Sequence, residues 1–265
     1  MDTTARLEDI PDLTPITDVT GSCPGATIAA LRKRWGPVAP VELEPGLPVW
    51  LVLGYEEYCA VVRDDETYSR RAGNWRAFAE GRVAPTSKAY AMVVPHENVF
   101  FQDGERRRTL RAPIDDGLGR LDERSYARRL RGLCHQLVER MLYEGSADLM
   151  TDYAVVVPLL AVAELFGMSE EQGQQMTAAA RRAFAAGPDA YDAVTELMAT
   201  VVAHIQRRRA RPASDLTTAF LEHPNLVDDS EVVEAMSLMI IGGYELTIAL
   251  IVQTLMLMLT DRSFG

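Results

Sequence analysis

Cysteine is too scarce and too scattered to organise this chain. Cys23, Cys59 and Cys134 stand far apart and form no C-x-x-C pair, which excludes a disulfide framework and a zinc site built on such spacing. The four histidines, His96, His135, His204 and His223, are equally dispersed, so no short spacing marks a metal centre. Basic residues are outnumbered, 27 against 38 acidic, for a formal net charge of −11. That balance argues against non-specific nucleic-acid binding by the whole molecule. The start, MDTTARLEDIPDLTPITD, has neither the apolar run nor the basic flank of a secretory signal, so a cytoplasmic location is the expectation. Internal repeats and low-complexity tracts are absent from the sequence.

What is present is apolar residue at helical spacing. Hydrophobic residues make up 48% of 265, enough for a sizeable core in one large domain or two small ones. TIAALRKRWG reads as a short helix ended by Gly36 and Pro37. VAPVELEPGLPVWLVLG reads as a β-hairpin turning at Glu44-Pro45-Gly46, and YEEYCAVVRDDETYS as a helix. Between Arg70 and Glu97 the periodicity fails, and glycines and prolines mix with Trp75, Phe78 and Tyr90. Such a long aromatic-bearing segment reads as a functional loop or as a surface connection. From Asp103 the pattern is helical almost without a break, with Pro158 marking a kink or restart and Gly187-Pro188 joining two helices. The fold class is mostly α with a small β portion near the N-terminus.

The longest apolar run, Met236 to Thr260, covers 25 residues, a length that crosses a bilayer. Glu245 sits near its middle, at a cost of about 2.5–3.5 kcal/mol on insertion scales. Ser237, Thr247 and Gln253 add to that cost, and the flanks carry no lysine or arginine bias. A helix buried in a soluble core, apolar all round, is the better supported reading. Asp228 with Glu231 gives it a capping signal.

That helix contains an anomaly. Gly242 and Gly243 each cost about 1 kcal/mol relative to alanine, and Glu245 and Thr247 follow within a turn. Two missing side chains let a flat ligand approach the backbone, or let a water or diatomic molecule enter the weakened turn. A carboxylate and a hydroxyl beside it, shielded from bulk water, would suit proton delivery. A glycine-mediated helix crossing, with Glu245 paired to an arginine, explains the same residues. A second candidate is DGERRRTLRAPIDDGL, in which Arg107 and Arg111 share one face. Two guanidiniums so placed can clamp carboxylates or phosphates. They also fit a solvated face paired with Glu105, Asp115 and Asp116.

Taken in order, five segments resemble a bacterial cytochrome P450. IIGGYELT resembles the central I helix, usually Ala/Gly-Gly-x-Asp/Glu-Thr, and DGERRRTLRAP resembles the C helix, usually D-x-x-x-H-x-x-x-R. DLMTDYAVVVPLLAVAELFGM, RRRARPASDLTTAFLEH and PVWLVLGYEEYCAVVRDDETYSRR resemble three further family segments. The resemblance implies a P450 domain over 23–265 after an N-terminal extension over 1–22. It implies a haem b cofactor, a small-molecule substrate and a ferredoxin-type electron donor docking near Arg106 and Arg108, with no membrane and no nucleic acid. Gly242 and Gly243 would then face the haem where oxygen binds, and Glu245, with Thr247, would serve proton delivery. Arg111 would hold a haem propionate, with Arg107 where a histidine or tryptophan is usual. Arg70–Glu97 would be the B–C loop over the substrate, and Gly187-Pro188 the F–G lid.

Two departures qualify this. Leu246 stands where threonine is usual, and Thr247 comes one residue late, about 100° further round the helix. The family's Glu-x-x-Arg pair and iron-ligating cysteine loop lie beyond the I helix, and none of the three cysteines has that loop's context. The resemblance therefore implies a C-terminally incomplete P450, with no metal ligand assigned here. The functions it leaves open are a haem monooxygenase, an inactive binding or scaffold protein, and one half of a split enzyme.

Overall fold

The computed structural model describes residues 6–19, 23–85, 90, 93, 95–184 and 190–263. The Gly187-Pro188 join, and parts of the Arg70–Glu97 segment, lie outside the described residues. The chain divides into two compact units, Met1–Arg107 and Arg108–Gly265.

The first unit is built round a three-stranded sheet, ordered β1-β2-β3. Strands β2 (Val38–Glu44) and β3 (Leu47–Val52) form the expected antiparallel hairpin. Gly46 takes φ +78° at the turn, a conformation that favours glycine, and its N–H donates to Glu42 Oε1 at 2.9 Å. Strand β1 (Thr14–Pro15) pairs parallel to β2, with Thr14 opposite Val41. Helices α1 (Ile16–Val19) and α2 (Pro24–Trp35) cover the sheet, burying Val19 and Leu31 against Ala39 and Val41. Helix α3 (Tyr55–Arg63) follows β3. A short 3-10 turn and α4 (Arg76–Ala79) then place Ala77 against Leu47 and Val83, with Trp75, Phe78 and Tyr90 packed on them. The described part of the aromatic segment is therefore packed onto the hairpin.

Helix α5 (Gly104–Gly119) leads into the second unit, which holds α6 (Glu123–Glu144), α7 (Val156–Leu165), α8 (Glu170–Phe184), α9 (Ala190–Ala210), α10 (Leu216–Leu221) and α11 (Asp229–Thr260). Aspartates start four helical segments by accepting orphan N–H groups. Asp122 takes Ser125 N at 3.1 Å, Asp148 takes Met150 N at 2.8 Å, Asp215 takes Thr218 N at 2.9 Å, and Asp228 takes Glu231 N at 3.0 Å. Glu231 returns the favour one residue early, accepting from Val227 N at 2.8 Å. The restart near Pro158 takes the form of a π-turn over Leu149–Ala154, after which Pro158 lies within the first turn of α7, where its missing N–H is harmless. Four elements meet at the wholly buried His204. Its Nε2 lies 2.9 Å from the Phe166 carbonyl, which also accepts from Thr217 Oγ1 at 2.8 Å. Burial lowers the His204 pKa, keeping the ring neutral, although the hydrogen bond to Phe166 opposes the shift.

The long helix α11 departs from expectation. Its N-terminal half buries Val232, Ala235, Met236 and Ile240, and Ile248 packs on Ala154 and Val155. Across the helix from Ile248, Leu246, Leu250 and Leu257 are exposed, and Ile241 and Leu259 are exposed as well. By length and composition α11 could cross a membrane, with a window of mean hydropathy 1.9 that is 22% buried. The reading of a helix buried all round is therefore corrected. Only one side of its C-terminal half meets α7, α6 and the π-turn.

Candidate functional site

Gly242 and Gly243 lie at the middle of α11, where the exposed arc begins. A side chain added at Gly242 would meet nothing within 4 Å, and one at Gly243 would reach only Val162 Cγ2, at an ordinary 3.6 Å. Among the described residues, neither glycine is demanded by a close helix crossing. The helix carries their cost without a packing reason among the described residues.

Glu245 is exposed on the same arc. The expectation of water-excluding surroundings is corrected: the carboxylate is exposed, although Ile248, three residues on, is buried on Val155. Leu246 is 77% exposed, and Thr247 is half-buried on the flank. Gly242 and Glu245, three residues apart, thus share one open stripe of helix, whereas Gly243 and Thr247, four apart, lie together on another side, toward Val162. The described residues do not close that stripe.

The arginine pair lies on α5. Arg111 is exposed, and its Nε donates to Asp115 at 2.8 Å, the i,i+4 partner open to it by spacing. Arg107 is half-buried, with Nη1 3.7 Å from Asp65 Oδ2. Its Nε is buried without a hydrogen-bond partner among the described residues, an unsatisfied donor of the kind that calls for an acceptor. Asp65, on the turn after α3, is shared with Arg70, whose Nη2 donates to the Val62 carbonyl at 3.0 Å. Asp103, just before α5, accepts from Arg70 N at 2.8 Å and from Ser69 Oγ. Burial pushes against ionisation of Asp103, but the Ser69, Arg70 and Arg71 hydrogen bonds outweigh it and hold its pKa below the usual carboxylate value. Sequence reasoning missed Asp65 and Arg70. Residues 42 positions apart give no periodic signal.

A cleft of about 780 Å³ opens elsewhere in the second unit, lined by Arg129, Glu164, Arg208 and Asp215. Its charges pair with each other, Arg208 with Asp215 at 2.5 Å and Arg129 with Glu164. None of the predicted site residues lines it. Cys23 caps α2 and is exposed, while Cys59 on α3 and Cys134 on α6 are half-buried.

This order of elements has close counterparts among solved structures. CYP154C4 from Streptomyces sp. ATCC 11861 superposes with a TM-score of 0.78 at 23% identity, over 92% of this chain and 62% of that one. Rif16 gives a TM-score of 0.63 at 27% identity, over 85% and 53%. The chain has a cytochrome P450 fold. Among curated relatives, the P450 monooxygenase PikC of Streptomyces venezuelae is 26% identical over 244 residues, which is 86% of this chain and 54% of PikC. The mycinamicin IV hydroxylase/epoxidase of Micromonospora griseorubida is 26% identical over 254 residues, 93% of this chain and 61% of the relative. The chain thus spans between half and two thirds of the length of those relatives. No family model matches it.

Proposed function

We propose that this chain contributes the oxygen-facing helix and the propionate-holding arginines of a haem-dependent monooxygenase, one that inserts an atom of O₂ into a small organic substrate. The observation that carries the reading is the glycine pair of α11. Two adjacent glycines interrupt an apolar helix on an open arc, with space beyond Gly242 and no packing need for either. The orphaned Arg107 Nε adds a donor that suits an acidic group. These residues fit haem b, whose iron supplies the oxygen chemistry when bound.

Each residue has its own task in this reading. Gly242 and Gly243 let the flat macrocycle approach the backbone. Arg107 offers Nε to one carboxylate, and Arg111 must exchange Asp115 for another. Glu245 offers its carboxylate beside the open turn for proton transfer, and a longer-range partner must exclude water from it. Leu246 supplies no hydroxyl, so a water, the Thr247 hydroxyl or a substrate hydroxyl would complete the relay. Arg106, 3.6 Å from Glu97, and the exposed Arg108 offer positive charge to an acidic ferredoxin-type donor. The substrate belongs to the small-molecule class suggested by relatives such as the mycinamicin IV hydroxylase/epoxidase, and the working compartment is the cytoplasm. The iron's protein ligand is not assigned to any residue of this chain.

A Soret titration with haemin tests the reading. Saturable 1:1 binding, weakened at least about 10-fold by Gly242→Leu, is expected from the loss of close approach. Binding indifferent to Gly242→Leu would contradict it. The exposed leucines of α11 favour a second reading, a half-enzyme or scaffold closed by another polypeptide. Sedimentation that shows a clean monomer at high concentration counts against that one.

A further inference from the structure

Arg107 does not stand alone. The Asp65 carboxylate lies between two guanidiniums, paired through Oδ1 with Arg70 and through Oδ2 with Arg107 at 3.7 Å. Arg70 is itself fixed. Its Nη2 donates to the Val62 carbonyl at 3.0 Å, its backbone N–H donates to Asp103 at 2.8 Å, and Nη1 lies 3.9 Å from that second carboxylate. A run of contacts therefore passes from the end of α3, through Arg70 and Asp65, to Arg107 on α5. All of it lies within the first unit.

We propose that Asp65 is a positioning residue for Arg107, holding its guanidinium in place for an acidic group of the cofactor. The inference rests on the reading of Arg107 as a propionate-holding residue. The physical argument is electrostatic. Without Asp65, Arg107 loses the carboxylate that pairs with it at 3.7 Å, while Arg70 keeps Asp103 at 3.9 Å. Arg70 is tied to Val62 and Asp103, so Arg107 is the side chain that moves, swinging toward solvent. An arginine loses side-chain freedom when it binds, and a pre-held one has less to lose. A bare histidine at this position would need no such counter-charge, whereas a permanently charged, half-buried guanidinium does.

The first test needs no cofactor. Phenylglyoxal reacts with accessible guanidiniums, and peptide mass spectrometry reads the rate at each arginine. Asp65→Asn keeps the shape of the carboxylate and removes its charge, so Arg107 is expected to react about 3- to 10-fold faster, in line with the loss of one ordering constraint. Arg111, paired with Asp115, keeps its rate and the melting temperature holds. An unchanged Arg107 rate, or a rise at both arginines together, overturns the proposal.

The second test is a double-mutant cycle on haemin affinity. Asp65→Asn weakens haemin binding by a similar factor when Arg107 is present and has no effect in Arg107→Ala. Equal losses in both backgrounds, or tighter binding in Asp65→Asn, reject Asp65 as a positioning residue while leaving Arg107 intact. An Arg107→Ala variant that binds haemin as the parent does, or a parent that binds none, rejects the role of Arg107 instead.

Discussion

Ile248 and Leu246 are two residues apart on α11 and ought to behave as though they belonged to different proteins. Ile248 is 4% exposed and packs on Ala154 and Val155, whereas Leu246 is 77% exposed. Ile248→Ala removes buried methyl groups and leaves a cavity, at a cost of about 2–5 kcal/mol. Full burial of a leucine side chain stabilises by about 1.5–3 kcal/mol. With three quarters of Leu246 already in water, Leu246→Ala should cost about 0.5 kcal/mol. Urea unfolding of the two variants at equal slope then reads a gap of about 1.5 kcal/mol or more in stability. Equal losses would refute the reasoning. They would mean that something covers the α11 arc in solution and that the site face is not open.

Further outcomes follow from the same contacts. Gly242→Ala meets no neighbour and should raise stability by about 0.5–1 kcal/mol in thermal unfolding, by helix propensity alone, while weakening haemin binding. A loss of stability would point to a hidden close contact. Asp228→Ala removes the acceptor for Glu231 N and should cost about 1 kcal/mol, whereas Asp229→Ala, lacking that cap, should cost less. The pKa of His204 is lowered in the fold by burial, so the unfolded chain binds its proton first. Stability from this residue is complete above the unfolded value, near 6.5, and falls as pH drops from there toward the folded pKa. His204→Gln should flatten that stretch of the stability–pH curve, and an unaltered curve would contradict the assignment.

Much of this architecture was written locally. The hairpin needed only alternating β-branched residues and Gly46, and α11 needed only its apolar length and the Asp228 cap. The Arg111–Asp115 pair also follows from an i,i+4 spacing. What escaped was set by contacts between distant segments. Asp65 meets Arg107 because the turn after α3 lies beside the start of α5, and no window of sequence holds both. The openness of α11 escaped for a different reason. Leucine and isoleucine on every side of a helix read as full burial, but an apolar side chain carries no mark saying which partner covers it. The residue pattern itself singled out the glycines, Glu245 and the two arginines, and the resemblance to P450s gave them roles. The structure added that the glycines answer to no packing need among the described residues, that Glu245 is exposed, and that Arg107 has a counter-ion.

Hydrogen–deuterium exchange along α11, with and without haemin, tests the central claim most directly. If the open arc is the cofactor face, amides round Gly242 to Thr247 should exchange readily in the free chain and become protected when haemin is added, with the buried turn round Met236 unchanged. Protection that appears elsewhere, or no change at residues 242–247 under saturating haemin, would contradict it.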